Sequence, residues 1–332
     1  MKRILVIQTA FIGDAILVSS LLETLHQGFP DASIDLMLRK GNESLYLGHP
    51  FIRALLVWDK KSKKYTSLFR LVSYVRGEKY DCLINVQRHW ATGLLSVFSK
   101  AGHISGFKKN PLSFLFHHSA IHSIDPREGV HETERNFKLV SHLKETKLQP
   151  PRLYPTAEVE SEVLKYKKLP YICVSPASVW FTKQYPFEKW IEFIQSVKNR
   201  FVVYLIGANS DKEYCQAIID EIKSPEIINL AGSLSLLASA ALMRDASMNY
   251  VNDSGPLHLC SAVNAPVCAI FCGTVPGFGF GPLSQNSTIV EIKEPIACRP
   301  CGLHGHKNCP QGHFKCANEI DNEQLLQPLN TN

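Results

Sequence analysis

The chain has 332 residues, of which 45% are hydrophobic and 20% charged, with a formal net charge of +6. That length exceeds one ordinary domain and predicts two of about 150 residues each. No apolar run reaches the roughly 18 residues a bilayer requires, which excludes a helical membrane span.

The start, MKRILVIQTAFIGDAILV, is basic and apolar like a leader, but Asp14 interrupts the apolar run. The Gly13, Asp14 pair suits a strand-to-helix turn better, so the chain is read as cytoplasmic. Charge is uneven: residues 1–150 carry 21 basic against 13 acidic side chains, and residues 151–332 carry 15 against 17. A basic first half suits an acidic surface such as anionic lipid or a phosphorylated glycan. Lys60, Lys61, Lys63 and Lys64 form its densest cluster, which a solvated loop explains equally well. No nucleic-acid-binding module or basic helix accompanies them, which argues against a nucleic-acid partner.

In chain order, strands are expected at Ile4 to Ile7, Ser33 to Leu38, Ala54 to Val57 and Cys82 to Asn85, then near His103 to Gly106 and Ile121 to Ile124. Helical spacing places helices at Asp14 to Gln27, Thr66 to Arg76, Trp90 to Phe98 and His131 to Leu143. Thr146 to Pro155 holds three prolines and reads as a linker. The pattern then restarts. Strands fit Tyr171 to Ser175, Val202 to Ile206, Ile227 to Leu230, Ser247 to Val251 and Val267 to Phe271. Helices fit Phe187 to Lys198, Asp211 to Ile222 and Ser235 to Met243. Uniformly apolar strands alternating with helices mean parallel sheets covered on both faces. The fold class is α/β: two Rossmann-like, doubly wound domains, with ligands expected in a cleft at the carboxyl ends of their strands.

Three loops carry chemistry. The first is TAFIGDA, Thr9 to Ala15, where Gly13 permits a tight turn and Asp14 opens a helix. An ionised carboxylate there can accept a proton from a hydroxyl nucleophile, or simply cap the helix. The second is SPASVWFTKQYPFEKW, with Ser178, Thr182 and Lys183: hydroxyls and an ammonium suited to phosphate oxygens. The third is NDSGPLHLCSAVNAPVCAIF, Asn252 to Phe271, a strand running into a helix. Asp253 or Ser254 can cap that helix, Gly255 allows close approach, and Pro256 suits the first helical position. His258 falls one turn inside, and Asn264 is a plausible stop. Bare amides at such a helix start form an anion site for phosphate or diphosphate, against the alternative of an ordinary βαβ turn.

Six of the ten cysteines are scattered, most of them in apolar runs. Cys298, Cys301, Cys309 and Cys316 crowd the end in a C-x2-C-x7-C-x6-C spacing, with His304, His306 and His313 among them. The spacing suits a structural zinc, disulfides or free thiols. No Walker-type GxxxxGK[ST], HExxH or GxSxG occurs. The GFGFG run at 277–281 precedes Pro282 and reads as a flexible loop rather than a dinucleotide fingerprint.

Taken together and in order, these loops resemble glycosyltransferase family 9, the heptosyltransferases of lipopolysaccharide assembly. The carrying residues are KRILVIQTAFIGDAILVSSLLETL, YDCLINVQ, HETERNFKLV, SPASVWFTKQYPFEKW, INLAGSLSL and NDSGPLHLCSAVNAPVCAIFCGT. CRPCGLHGHKNCPQGHFKC is similar to the cysteine-rich ends of some members. The resemblance implies a GT-B fold. Residues 1–155 would bind the acceptor, 156–316 would bind the nucleotide-sugar and include the cysteine-rich end, and 317–332 would form a tail or helix. It implies inverting transfer of heptose from ADP-heptose to a lipopolysaccharide core at the inner leaflet, with Asp14 as base. Lys183 matches a lysine on the donor phosphates, and Asp253, Ser254, Gly255 and His258 match the donor loop. The resemblance requires no metal for the chemistry and leaves room for magnesium stimulation. Leu234 is expected against the adenine, and Arg39, Lys40 and Arg88 on acceptor anions. The ribose contact falls in GANSDKE, with Asn209, Asp211 and Glu213 as alternatives. Another sugar nucleotide, another surface glycan, or a binding protein that kept the fold without catalysis are the competing readings.

Overall fold

The computed structural model describes residues 1–60 and 64–330, so Lys61 and Lys63 of the basic cluster lie outside the described residues. The chain divides into two compact units: residues 1–124 with 130–154, and residues 125–129 with 155 onward.

The first unit runs β1 (Arg3–Gln8), α1 (Ile12–Gly28), β2 (Ser33–Arg39), β3 (Ile52–Trp58), α2 (Lys64–Glu78), β4 (Cys82–Asn85), α3 (Trp90–Phe98), β5 (His103–Phe107), β6 (His118–Ala120) and α4 (Glu132–Phe137). Its six strands lie in the order β3-β2-β1-β4-β5-β6, all parallel. β1 is buried from Ile4 to Gln8, as a strand covered on both faces must be. Its Ile4 sits in register with Ile34 on one side and Cys82 on the other.

The second unit repeats this order. It comprises α5 (Ala157–Val163), β7 (Tyr171–Ser175), α6 (Phe187–Val197), β8 (Val202–Leu205), α7 (Lys212–Ile222), β9 (Ile227–Asn229), α8 (Leu236–Arg244), β10 (Met248–Asn252), α9 (Gly255–Ala262), β11 (Val267–Phe271), β12 (Ser287–Glu291), α10 (Lys315–Asn318) and α11 (Glu323–Asn330). The sheet order is β12-β11-β10-β7-β8-β9, again parallel throughout. Both sheets therefore reverse their strand order beside the first strand, between β1 and β4 and between β7 and β10. That reversal is where doubly wound sheets open a crevice at the strands' carboxyl ends.

Several boundaries differ from the sequence expectation. The strand expected at Ile121 to Ile124 is instead His118–Ala120, the sheet edge, which pairs with Ser105 to Phe107 of β5. The helix expected from His131 to Leu143 stops after Phe137 and passes into turns, although Leu139 and Val140 remain buried. Apolar spacing marks burial there, and tight turns satisfy it as well as a helix does. The GFGFG loop opens with a short 3-10 turn, Pro276–Phe278, whose Phe278 is buried. A side chain at Gly277 would collide with the Pro126 carbonyl at 2.5 Å, so the loop is packed rather than flexible. α5 and β12 had no sequence expectation. Among the described residues, no helix is long and apolar enough to cross a membrane.

Asn252, the last residue of β10, ties the two strands at the second reversal together. It is fully buried. Its Oδ1 accepts the Tyr185 amide at 2.9 Å, and its Nδ2 donates to the Pro176 carbonyl at 2.9 Å. The chain leaving β7 is thereby fixed to the end of β10. Removing one partner of a buried hydrogen bond strands the other at a cost of about 1–3 kcal/mol per group. Asn252→Leu should accordingly lower unfolding free energy by about 2–4 kcal/mol in urea titration. A loss below about 0.5 kcal/mol, the scale of a neutral surface change, would show that this tie is dispensable.

Candidate functional site

Each reversal carries one cluster of polar side chains. In the first unit the loop after β1 delivers Gly13 and Asp14 into the first turn of α1. Phe11 is the N-cap residue and offers no side-chain cap, so Asp14 is the only acidic group in that turn. Lys60 Nζ donates to the Thr9 carbonyl at 2.7 Å and lies over the Trp58 ring, so this lysine braces the loop rather than waving in solvent. Asn42 Nδ2 donates to the Ala10 carbonyl at 3.2 Å.

Burial pushes the Asp14 carboxyl up to about 6, and the negative charge of Glu132 pushes the same way. Arg88 and the amides of Asp14 and Phe11 oppose both. A carboxylate poised there remains ionised at neutral pH while holding a proton more readily than an ordinary aspartate, which suits a general base.

Glu132 and its partners were missed as site residues. Glu132 is buried, and its carboxylate accepts from Arg135 Nε at 2.7 Å and His122 Nε2 at 3.1 Å. Burial raises its carboxyl, but His122 and Arg135 outweigh that and hold it below the usual range. On its other side His122 Nδ1 meets Arg88 Nη1 at 3.3 Å. A guanidinium has only donors, so Nδ1 accepts and Nε2 carries the proton shared with Glu132. The HETERNFKLV block contained Glu132 and Arg135, but spacing alone could not connect them to Asp14. His131 closes the start of α4 with a capping box: its ring accepts the Thr133 amide, and Glu134 accepts the His131 amide at 2.8 Å.

The three basic residues expected on the acceptor separate. Arg88 stands close enough to Asp14 to act on its titration. Arg39 lies over the Phe11 ring, 5.5 Å from its centre, at the entrance to α1. Lys40 is exposed and pairs with Asp59 at 2.9 Å.

In the second unit the loop after β7 carries Ser178, Thr182 and Lys183, and the loop after β10 carries Asp253 and Ser254. Lys183 Nζ pairs with Asp253 Oδ2 at 2.7 Å, with both side chains largely buried. The same oxygen accepts the Thr274 hydroxyl at 2.6 Å. Asp253 therefore does not cap α9. Ser254 takes the N-cap position, but its hydroxyl donates back to the Asn252 carbonyl at 3.3 Å and caps nothing. Gly255 is the first helical residue and Pro256 the second. Pro256 has no amide to offer and the Leu257 amide donates to the Ser254 carbonyl at 3.1 Å, so the first turn of α9 presents the Gly255 amide without a side-chain cap, two residues on from Asp253, the partner of Lys183, a combination suited to a phosphate group. His258, one turn in, is buried with its ring 6.3 Å from that of Phe280. Asn264 ends α9 with a left-handed φ of 51°, the stop its sequence suggested.

Thr182 is buried behind this pair and holds the cysteine-rich segment, its hydroxyl accepting the His306 amide at 2.7 Å. The Ser178 carbonyl accepts from Gln184. Leu234 is half-buried just before Ser235, which caps α8. In GANSDKE, Asp211 turns back to accept the Ala208 amide at 2.8 Å, and Glu213 is exposed. Cys298, Cys301, Cys309 and Cys316 line one pocket of about 440 Å³ with His306 and His313. All ten cysteines are free thiols. Cys298 Sγ lies 3.8 Å from His313 Nε2, yet among the described residues no three His, Cys, Asp or Glu side chains are arranged to hold a metal ion.

Comparison with known proteins gives these clusters a family. The model of "Glycosyltransferase family 9 (heptosyltransferase)" matches residues 68–308. Lipopolysaccharide heptosyltransferase 3 of Escherichia coli is 25% identical over 292 residues, covering 83% of this chain and 85% of that protein. The solved E. coli ADP-heptose lipopolysaccharide heptosyltransferase II superposes with a TM-score of 0.81 at 22% identity, over 100% of this chain and 98% of the other. An E. coli heptosyltransferase solved with ADP superposes with a TM-score of 0.74 at 16% identity, over 99% of both chains. The fold is that of these GT-B enzymes, and the chain belongs to glycosyltransferase family 9, the heptosyltransferases.

Proposed function

We propose that this enzyme transfers a heptose from ADP-heptose to a lipopolysaccharide-core acceptor with inversion at the anomeric carbon. Asp14 is the base: it takes the proton from the acceptor hydroxyl as that oxygen attacks, and the ADP leaves. The observation that carries the reading is Asp14 itself, a carboxylate at a strand-order reversal whose surroundings push its titration to about 6. Lys183 and the Gly255 amide at the start of α9 take the diphosphate, steadying the charge that grows on the leaving group. ADP bound to a solved relative supports the choice of nucleotide. Arg88 and Arg39 stand near Asp14 and α1, where an anionic acceptor would need countercharge.

No covalent nucleophile is needed, because position and charge suffice for a direct displacement. Magnesium would assist by neutralising the diphosphate without entering the bond changes. The basic first half suits work at the anionic inner leaflet of the cytoplasmic membrane.

Replacing the base should separate chemistry from binding. Asp14→Asn should lower kcat by about 10²–10⁴-fold, the usual worth of a positioned base, while ADP affinity measured by calorimetry stays unchanged. Near-normal turnover would remove Asp14 from the mechanism.

The pH profile follows from the sign of the Asp14 shift. The base works deprotonated, so kcat/KM should fall as pH drops through about 6. Glu132→Gln removes a negative charge that holds the Asp14 proton, so the acid limb should move to lower pH. A limb that stays in place would show that Glu132 does not act on the base.

A further inference from the structure

The cysteine-rich segment stands apart from the chemistry above, yet its contacts run straight to the Lys183–Asp253 pair. Arg299 is nearly buried, and its guanidinium donates to the Cys272 carbonyl at 2.7 Å, the Thr274 carbonyl at 2.8 Å and the Phe271 carbonyl at 3.2 Å, while pairing with Glu291 at 2.6 Å. Those three carbonyls are the end of β11 and the turn after it. One fork of donors therefore fixes the turn that carries Thr274. Thr274 is fully buried, and its hydroxyl donates to the Asp253 oxygen that also holds Lys183.

A second arm of the same segment reaches the lysine from behind. The His306 amide donates to the Thr182 hydroxyl at 2.7 Å, and the Thr182 amide donates to the His306 carbonyl at 3.1 Å. The Gly273 amide donates to the Thr182 carbonyl at 2.8 Å, and the Cys301 amide donates to the Gly273 carbonyl at 3.0 Å. Gly305 adopts a φ of +79°, and a Cβ there would lie 3.1 Å from Thr182 Oγ1 and 3.2 Å from Lys183 Cγ. The left-handed φ favours glycine here, and its missing side chain lets the segment sit against the lysine's own stem.

We propose that residues 299–306 are a positioning element for the donor site, with Thr274 as the residue that transmits it to Asp253 and Lys183. The proposal rests on the reading of Lys183 as a diphosphate ligand. An isolated lysine loses rotamer freedom when it binds an anion, whereas one already held by Asp253 has little left to lose. Thr274 keeps Asp253 in place, and Arg299 keeps Thr274 in place. The segment thus acts on donor affinity without touching the donor.

The test is ADP binding by calorimetry on the full chain, with the donor KM and kcat measured alongside and folding checked by circular dichroism. Thr274→Val keeps the shape and removes the donated hydrogen bond to a charged group. It should weaken ADP by about tenfold and raise the donor KM in proportion. Thr274→Ser restores the hydroxyl and should recover most of the loss. Gly305→Ala, where the segment meets Thr182 and Lys183, should weaken ADP severalfold and covers the case in which Thr274→Val fails to fold. Lys183→Ala is the control. If it weakens ADP while folded Thr274→Val or Gly305→Ala leaves affinity intact, the positioning role is wrong. If Lys183→Ala also leaves affinity intact, the donor-site reading itself fails.

Discussion

The Lys183–Asp253 ion pair is the interaction around which the second unit is arranged. Two charges withdrawn from water repay the cost only with good geometry and further hydrogen bonds, and losing one partner leaves an uncompensated charge worth about 3–5 kcal/mol. The fold supplies that geometry from several directions. Asn252 binds the chain leaving β7 to the end of β10, so the loops bearing the two charges keep their separation. Thr274 adds a hydrogen bond from the turn after β11. Thr182 ties the lysine's loop to the cysteine-rich segment. A lysine held this way keeps its place near the start of α9, where the proposed diphosphate would sit.

The first unit solves the opposite problem with the same sheet order. There the proposed base is a single carboxylate, Asp14. Burial and Glu132 hold the Asp14 proton more tightly, while Arg88 limits the effect. His122 bridges Arg88 and Glu132, so the opposing charges around Asp14 belong to one hydrogen-bonded chain. Two similar frames thus carry contrasting chemistry. At one reversal a charge pair is locked together, and at the other burial and a neighbouring carboxylate raise a single carboxyl.

Much of this was legible in the sequence because it is local. Uniformly apolar strands such as Leu5 to Ile7 and Val267 to Phe271 can only be central in a parallel sheet, and the residues just beyond them fall at its carboxyl edge. Asp14, Lys183 and Asp253 could therefore be placed in loops that carry sites. What the sequence withheld is long-range. Asp253 was one of two candidate helix caps, with Ser254, and only the fold brings Thr274, 21 residues away, and Lys183 onto its oxygen. Glu132 looked like part of a helical run, and only the fold sets it beside His122 and near Asp14. The cysteine spacing left zinc, disulfides and free thiols open, and it gave no sign that the Arg299 guanidinium and the His306 amide of that segment reach the turn after β11 and Thr182. Edge elements were the other weak point: His118–Ala120 is too short and polar to announce itself, and one ladder is all that defines it.

The most direct measurement is the structure of the product. Incubation with ADP-heptose and a heptose-deficient lipopolysaccharide core, followed by mass spectrometry and NMR of the new linkage, reads donor, acceptor and stereochemistry together. The account predicts one added heptose whose anomeric configuration is inverted relative to the donor. Retention of configuration, or transfer from a different sugar nucleotide with none from ADP-heptose, would contradict it.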